Sequence, residues 1–264
     1  MATRNELLSA RQNLRVSILA SEEWQPSYKK DKATFKELVS LESELETAVA
    51  EYLSELSERA LTYVDWTRLP DEVKADAGPV LNNSDPAWKR EQTLLTKSTL
   101  DLVTRLVATG AVAGEHIYGI PVGFSVLDEA ILQAARTQVA TLVSNVTDKS
   151  RDLIRESIRH SIAVGEDSTS SQARLMDIIN NPVRAELIAH TESVNAYQTG
   201  LSNFADETNA VSKTWDGLAG ACVICNPLIG VTVDITEMFD VNGEELEHPS
   251  AHPRCRCGLI YNYA

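Results

Sequence analysis

No cysteine occurs before Cys222, which excludes a disulfide framework spread along the chain. No apolar run approaches the length of a membrane span. The opening residues, Met1 to Glu6, lack the charged-then-apolar layout of a secretory leader, so a reducing cytosol is the expected place of synthesis. Basic residues are the minority: 24 Lys and Arg face 38 Asp and Glu, for a net charge of −14. Phosphate neutralisation needs a basic surface, so a general nucleic-acid binder is disfavoured and no sequence-specific contact to nucleic acid is expected. The acidic balance favours solubility or docking onto a basic partner. The glycine-bearing turn Gly217–Gly220 is followed by no Lys-Ser/Thr pair and is not a phosphate loop. No internal repeat or low-complexity tract is present.

What the chain does have is a concentration of soft ligands near its end. Cys222-Val-Ile-Cys225 is followed by His252-Pro-Arg-Cys255-Arg-Cys257. Two cysteines flanking a tight turn can aim both sulfurs at one point, and a second His/Cys cluster can close around it. A short loop-rich segment has little apolar surface with which to order itself, and a metal offsets that deficit. The expectation is a structural zinc knuckle. Cys222, Cys225, His252, Cys255 and Cys257 compete for its four positions. The CxxC pair is the firmer half, completed by His252 and either Cys255 or Cys257. Disulfides or free thiols are the competing readings. A closed four-ligand site leaves no open position for catalysis.

The rest reads as mainly α. A capping box at Thr3–Glu6 opens a first helix carrying Leu7, Leu8, Leu14, Ile18 and Leu19. A long helix is predicted from about Lys32 to Thr67 on the stripe Phe35, Leu38, Leu41, Leu45, Ala48, Tyr52, Leu56 and Ala60. Its charges, such as Glu42, Glu44, Glu51 and Glu58, read as a solvated side. After a polar connector, a helix resumes near Trp88 and is expected to end around Gly110. Gly114, Gly119, Pro121 and Gly123 then punctuate a loop. The next helix carries Leu127, Ile131, Ala135, Val139, Leu142 and Val146. A fresh N-cap is expected at Thr147–Ser150, and Gly165 closes the helix that follows. A short helix runs to Ile178, and Asn180-Asn-Pro182 opens another holding Val194, Tyr197, Leu201 and Phe204. Past Asn209 the pattern alternates, with strands at Val211–Trp215, Val231–Ile235 and Leu259–Tyr263. The expected organisation is a helical N-terminal docking region, 1–120, and a C-terminal α+β domain, 121–264. The latter has helices over 125–209 and the β/knuckle element over 210–264.

One enzyme pattern competes. His190-Thr-Glu192 ahead of Cys222-x-x-Cys225 echoes the zinc deaminase signature, in which His and two Cys hold zinc and Glu moves protons. Ala221 replaces the usual Pro, His190 lies inside an amphipathic helix, and no deaminase-like sheet precedes it. That reading also leaves His252, Cys255 and Cys257 without a role. His116 and His160 read as surface or satisfied core histidines; His248, beside Pro249, reads as facing solvent, with a further metal ligand as the alternative. Arg184 and Glu192, on one long helix, offer a catalytic pair, but read more simply as residues that pair with neighbours to fix their helix against the knuckle.

The ordered set Arg184-Ala-Glu-Leu-Ile-Ala-His190-Thr191-Glu192, Asn195-Ala-Tyr197, Gly200, Lys213-Thr-Trp215, Cys222-x-x-Cys225, Pro227-Leu-Ile-Gly230 and His252-Pro-x-Cys-Arg-Cys257 resembles the phage Mu protein F-like domain. These are the SPP1-type head morphogenesis proteins of tailed phages. The resemblance spans roughly Leu127 to Cys257. It departs from the family where His190 replaces Arg, and at Gly217–Ala221, where the family carries Asp-x-Arg. The resemblance implies a minor capsid protein, not an enzyme, built into the virion head after assembly in the host cytoplasm. The implied partners are the portal protein and/or the major capsid and scaffold proteins, with no membrane contact.

Overall fold

A computed structural model of the chain describes residues 26–68, 86–126, 128–217 and 221–264. The first predicted helix, most of the polar connector, Leu127 and residues 218–220 of the Gly217–Gly220 turn lie outside the described residues. The fold is mainly α with a small C-terminal β region. Helices α1 (Pro26–Lys30), α2 (Lys32–Ala60), α3 (Pro86–Tyr118), α4 (Glu129–Val164), α5 (Ser168–Ile179) and α6 (Pro182–Glu207) precede strands β1 (Ser212–Asp216), β2 (Thr232–Asp234), β3 (Phe239–Val241), β4 (Glu244–Leu246) and β5 (Gly258–Asn262). No helix among the described residues is long and apolar enough to cross a membrane.

The contacts group the chain into two compact units, each discontinuous in sequence. One takes the described residues up to Leu45, Leu102–Gln138 and Leu187–Ala264; the other takes Glu46–Asp101 and Val139–Glu186. Residues from both sides of position 120 therefore meet within each unit.

In the first unit, Asp31 caps α2 by accepting from the Ala33 and Thr34 amides. Its other oxygen lies 2.6 Å from His116 Nδ1. Phe35, Leu38, Leu41 and Leu45 are buried as the helical spacing requires. Glu42 departs from the expected solvated side. It is buried, while Glu44, Glu51 and Glu58 stay exposed. The reason is a partner far along the chain: Glu42 Oε2 accepts from Arg256 at 2.6 Å.

Helix α3 does not stop at Gly110 but runs through Gly110 and Gly114 to Tyr118. These glycines are there for contact with α6. A Cβ on Gly110 would sit 1.9 Å from the Tyr197 carbonyl oxygen, and one on Gly114 would strike the Phe204 ring. Gly200 reciprocates, its missing Cβ lying 1.9 Å from the Val107 carbonyl oxygen. The backbones touch, and the helical cost of glycine is offset by that close approach. Beyond the crossing, Tyr118 stacks on Phe204, and its hydroxyl accepts from the Tyr261 amide of β5 at 2.7 Å.

In the second unit, Val49, Tyr52, Leu53, Leu56 and Ala60 continue the buried side of α2, with Val49 taking the fully buried place expected of Ala48. Two 3-10 turns, Leu61–Tyr63 and Trp66–Arg68, follow the helix instead of further α turns. Glu91 is wholly buried and held by Arg59 through two bonds of 2.8 Å and by the Tyr63 hydroxyl at 2.5 Å. Burial pushes the Glu91 pKa up, but Arg59 and Tyr63 outweigh it and hold the carboxyl below its ordinary value. Thr147–Ser150 starts no new helix. Thr147 and Ser150 bond back to the Val143 and Val146 carbonyls, so α4 continues unbroken. Arg184 likewise belongs here: it donates to the Val146 carbonyl and Ser150 rather than bracing the knuckle. Asp167 caps α5, and Gly165 has the positive φ of a helix-ending residue.

The β region, in the first unit, is a three-stranded antiparallel sheet in the order β2-β1-β5, with Thr214 opposite Thr232 and Ile260. A separate hairpin pairs β3 with β4 through Asn242-Gly243, both at positive φ. That Asn-Gly pair is a strong hairpin signal in its own right. Trp215 on the buried side of β1 packs edge-on to Phe239.

Candidate metal centre

The first half of the site is the turn after β1. Asn226 N donates to the Cys222 carbonyl, and Cys225 N approaches Cys222 Sγ at 3.4 Å. A 3-10 turn over Asn226–Leu228, started by Pro227, follows and buries Leu228. This brings both sulfurs to one side of the turn, with Cys225 buried and Cys222 exposed.

The second half is the loop between β4 and β5, docked onto one side of α6. Thr191, Asn195 and Thr199 recur every four residues and so share a helix face. Thr191 Oγ1 meets the Arg254 amide at 3.4 Å. Asn195 Oδ1 accepts from Ser250 N and Oγ at 3.0 and 2.8 Å. Thr199 Oγ1 lies 3.4 Å from His248 Nε2. His248 also lies 2.6 Å from the Pro249 carbonyl through Nδ1, so it anchors the loop rather than facing solvent. Arg254 takes the left-handed conformation, φ 64°, that turns the chain between His252 and Cys255. Arg256 then reaches to Glu42 and to His190 Nδ1, 2.9 Å away.

These two halves converge. His252 Nε2 lies 2.9 Å from Cys222 Sγ and 3.3 Å from Cys225 Sγ, and Cys225 Sγ lies 3.7 Å from Cys255 Sγ. His252 Nδ1 is 2.8 Å from the Pro253 carbonyl. That contact places a proton on Nδ1 and leaves Nε2 as the ligating nitrogen. All five residues expected from the sequence are brought together, as two overlapping groups: Cys222, Cys225 and His252, and Cys225, Cys255 and Cys257. All four cysteines are free, so the disulfide alternative is not realised.

The geometry suits an ion. Metal–sulfur bonds of about 2.3 Å set tetrahedral neighbours about 3.7 Å apart, the separation seen between Cys225 and Cys255. The Cys/His groups could thus hold a metal ion. The local electrostatics also prepare thiolates. A bond from Cys257 brings Cys255 down to about 5. Cys257 is correspondingly pushed up by Cys255 and by burial. Burial, with Cys255 adding to it, raises Cys225 to about 12. Desolvation raises Cys222, but the Cys225 and Ile224 amides outweigh it and lower the thiol. Burial lowers His252, and the Pro253 carbonyl and the sulfurs more than reverse it. A divalent cation would take the place of the protons that the sulfurs now contest.

His190 joins neither group of candidate ligands. It sits between Arg256 and Glu42, its Nδ1 3.4 Å from Glu42 Oε1. Burial pushes Glu192, two residues further along the helix, up to about 7. His116 is committed to Asp31. Sequence reasoning missed the Arg256–Glu42 pair and the anchoring role of the Thr191–Asn195–Thr199 row. The four-residue spacing of that row was its only local signal. No protein-family model matches the chain, and neither a curated protein nor a solved structure matches it.

Proposed function

We propose that this chain is a structural protein of a tailed-phage head, a minor capsid component associated with the portal, whose C-terminal lobe is stapled by zinc. Cys222, Cys225, His252 and Cys255 would hold that ion, the only chemistry it supplies being cross-linking of two loops. The observation that carries the reading is the convergence of two distant loops: His252 lies within 3.3 Å of both sulfurs of the CxxC turn, and Cys255 within 3.7 Å of the second. Four protein ligands close a tetrahedral site and leave no place for a substrate. The order of motifs from Arg184 to Cys257, in the pattern of the Mu F-like head proteins, supports a role in assembly. The net charge of −14 supports docking onto a basic partner surface.

Fractionation of phage particles carrying the tagged chain tests this. The expected result is sedimentation with heads and cross-linking to the portal protein. A chain that stays in the soluble fraction while intact heads form without it would overturn the assignment.

A further inference from the structure

The zinc staple leaves Cys257 over, yet Cys257 is not idle. Its sulfur lies with those of Cys225 and Cys255, all three within 4.8 Å of one another, and the residues are 5, 1 and 2 % exposed. This group contains sulfur alone, with no nitrogen or oxygen donor. A Cβ at Gly217 would meet the Ile229 side chain at 3.1 Å and the Cys257 sulfur at 3.4 Å, so the chain packs closely against the cluster on that side. Trp215, 1 % exposed, turns its indole N–H toward the Cys257 sulfur.

Three buried cysteine sulfurs with no other donor between them suit a soft ion, bound as thiolates once their protons are displaced. Sulfurs around a trigonal ion with bonds of about 2.3 Å lie about 4 Å apart, within the spread this group already has. We propose that Cys225, Cys255 and Cys257 form a binding site for a monovalent soft ion, Cu(I), which competes with zinc for the two shared sulfurs. The exchange transfers no electrons. One Cu(I) enters and Zn2+ leaves, His252 is released neutral, Cys257 gives up its proton, and the released Cys222 thiolate takes one up from solvent. This goes beyond the proposed role in heads and depends on it only through the shared ligands.

The test is an anaerobic titration of the full chain, first loaded with zinc, using Cu(I) supplied from a competing chelator. The wild type is expected to take up one Cu(I), show thiolate-to-copper charge-transfer absorption and release its zinc. Cys257→Ser is expected to keep its zinc and bind Cu(I) at least roughly tenfold more weakly. Trp215→Phe should weaken Cu(I) and leave zinc in place. X-ray absorption of the copper-loaded wild type should show three sulfurs, and this readout holds if Cys257→Ser fails to fold. A nitrogen ligand on copper, or equal Cu(I) affinity in folded Cys257→Ser, would overturn the proposal. So would a wild type that takes up no Cu(I). Zinc analysis before the titration separates the two ideas. A chain that binds no zinc loses the staple reading, while the titration of that metal-free chain still decides the copper site.

Discussion

Glu42 is the residue whose sequence context misleads most. It sits among the acidic residues of α2 and reads as one more solvated charge. In the fold it is 4 % exposed and paired with Arg256, 214 positions away. Burial alone would raise its pKa, but Arg256 and His190 hold the carboxyl at about 2. A carboxyl depressed on folding stabilises the fold while ionised. That contribution is complete above the ordinary value of 4.5 and is lost as pH falls through about 2. Glu42→Gln should cost about 2–3 kcal/mol near neutral pH, less than for a fully buried pair because Arg256 keeps some solvent contact. Urea unfolding across pH would show it as a flatter acid limb in the variant. An unchanged acid limb would mean that the pair contributes nothing. The five ligand candidates, by contrast, were legible in the sequence, because cysteine is scarce and its spacing reports the turn that aims it.

At the scale of elements, periodicity located most helices, since apolar spacing follows directly from which side is buried. Boundaries failed where a residue's use differed from its usual one. Gly110 and Gly114 read as breakers, yet they are the contact surface of α3 against α6. Thr147 and Ser150 read as a cap, yet they bond back along their own helix. The β3–β4 hairpin carried a readable Asn242-Gly243 turn, but its strands are three residues each and too short to alternate visibly. The helix crossing is directly testable. A Cβ at Gly200 would fall 1.9 Å from the Val107 carbonyl oxygen and 2.8 Å from the Ala111 amide, both backbone atoms that cannot rotate away. Gly200→Ala should therefore destabilise by about 1–3 kcal/mol or more, despite alanine's better helix propensity. The readout is the midpoint of chemical unfolding. A rise in that midpoint would show that the two helices do not meet backbone to backbone.

For the whole molecule, the metal is the largest predicted lever on stability, since ion binding to converging loops adds directly to folding free energy. A strong chelator should lower the melting temperature of the wild type, and a reductant alone should not, because all four cysteines are free thiols. Cys222→Ser should melt low with or without chelator. A wild-type melt indifferent to chelator would remove the staple from the account. The mainly helical class and the small β lobe were legible from pattern changes along the chain. The interleaving of the two units was not, because no local property of residues 1–120 reports which distant segment they will meet.

That interleaving sets an order of events during synthesis. The second unit is complete once Glu186 has left the ribosome. The first is not: Ser27 waits for Asp216, Tyr28 for the Cys257 carbonyl and Glu42 for Arg256. Those three contacts of the N-terminal helices can form only after residues 216–257 have been made, later than the point at which the second unit can close.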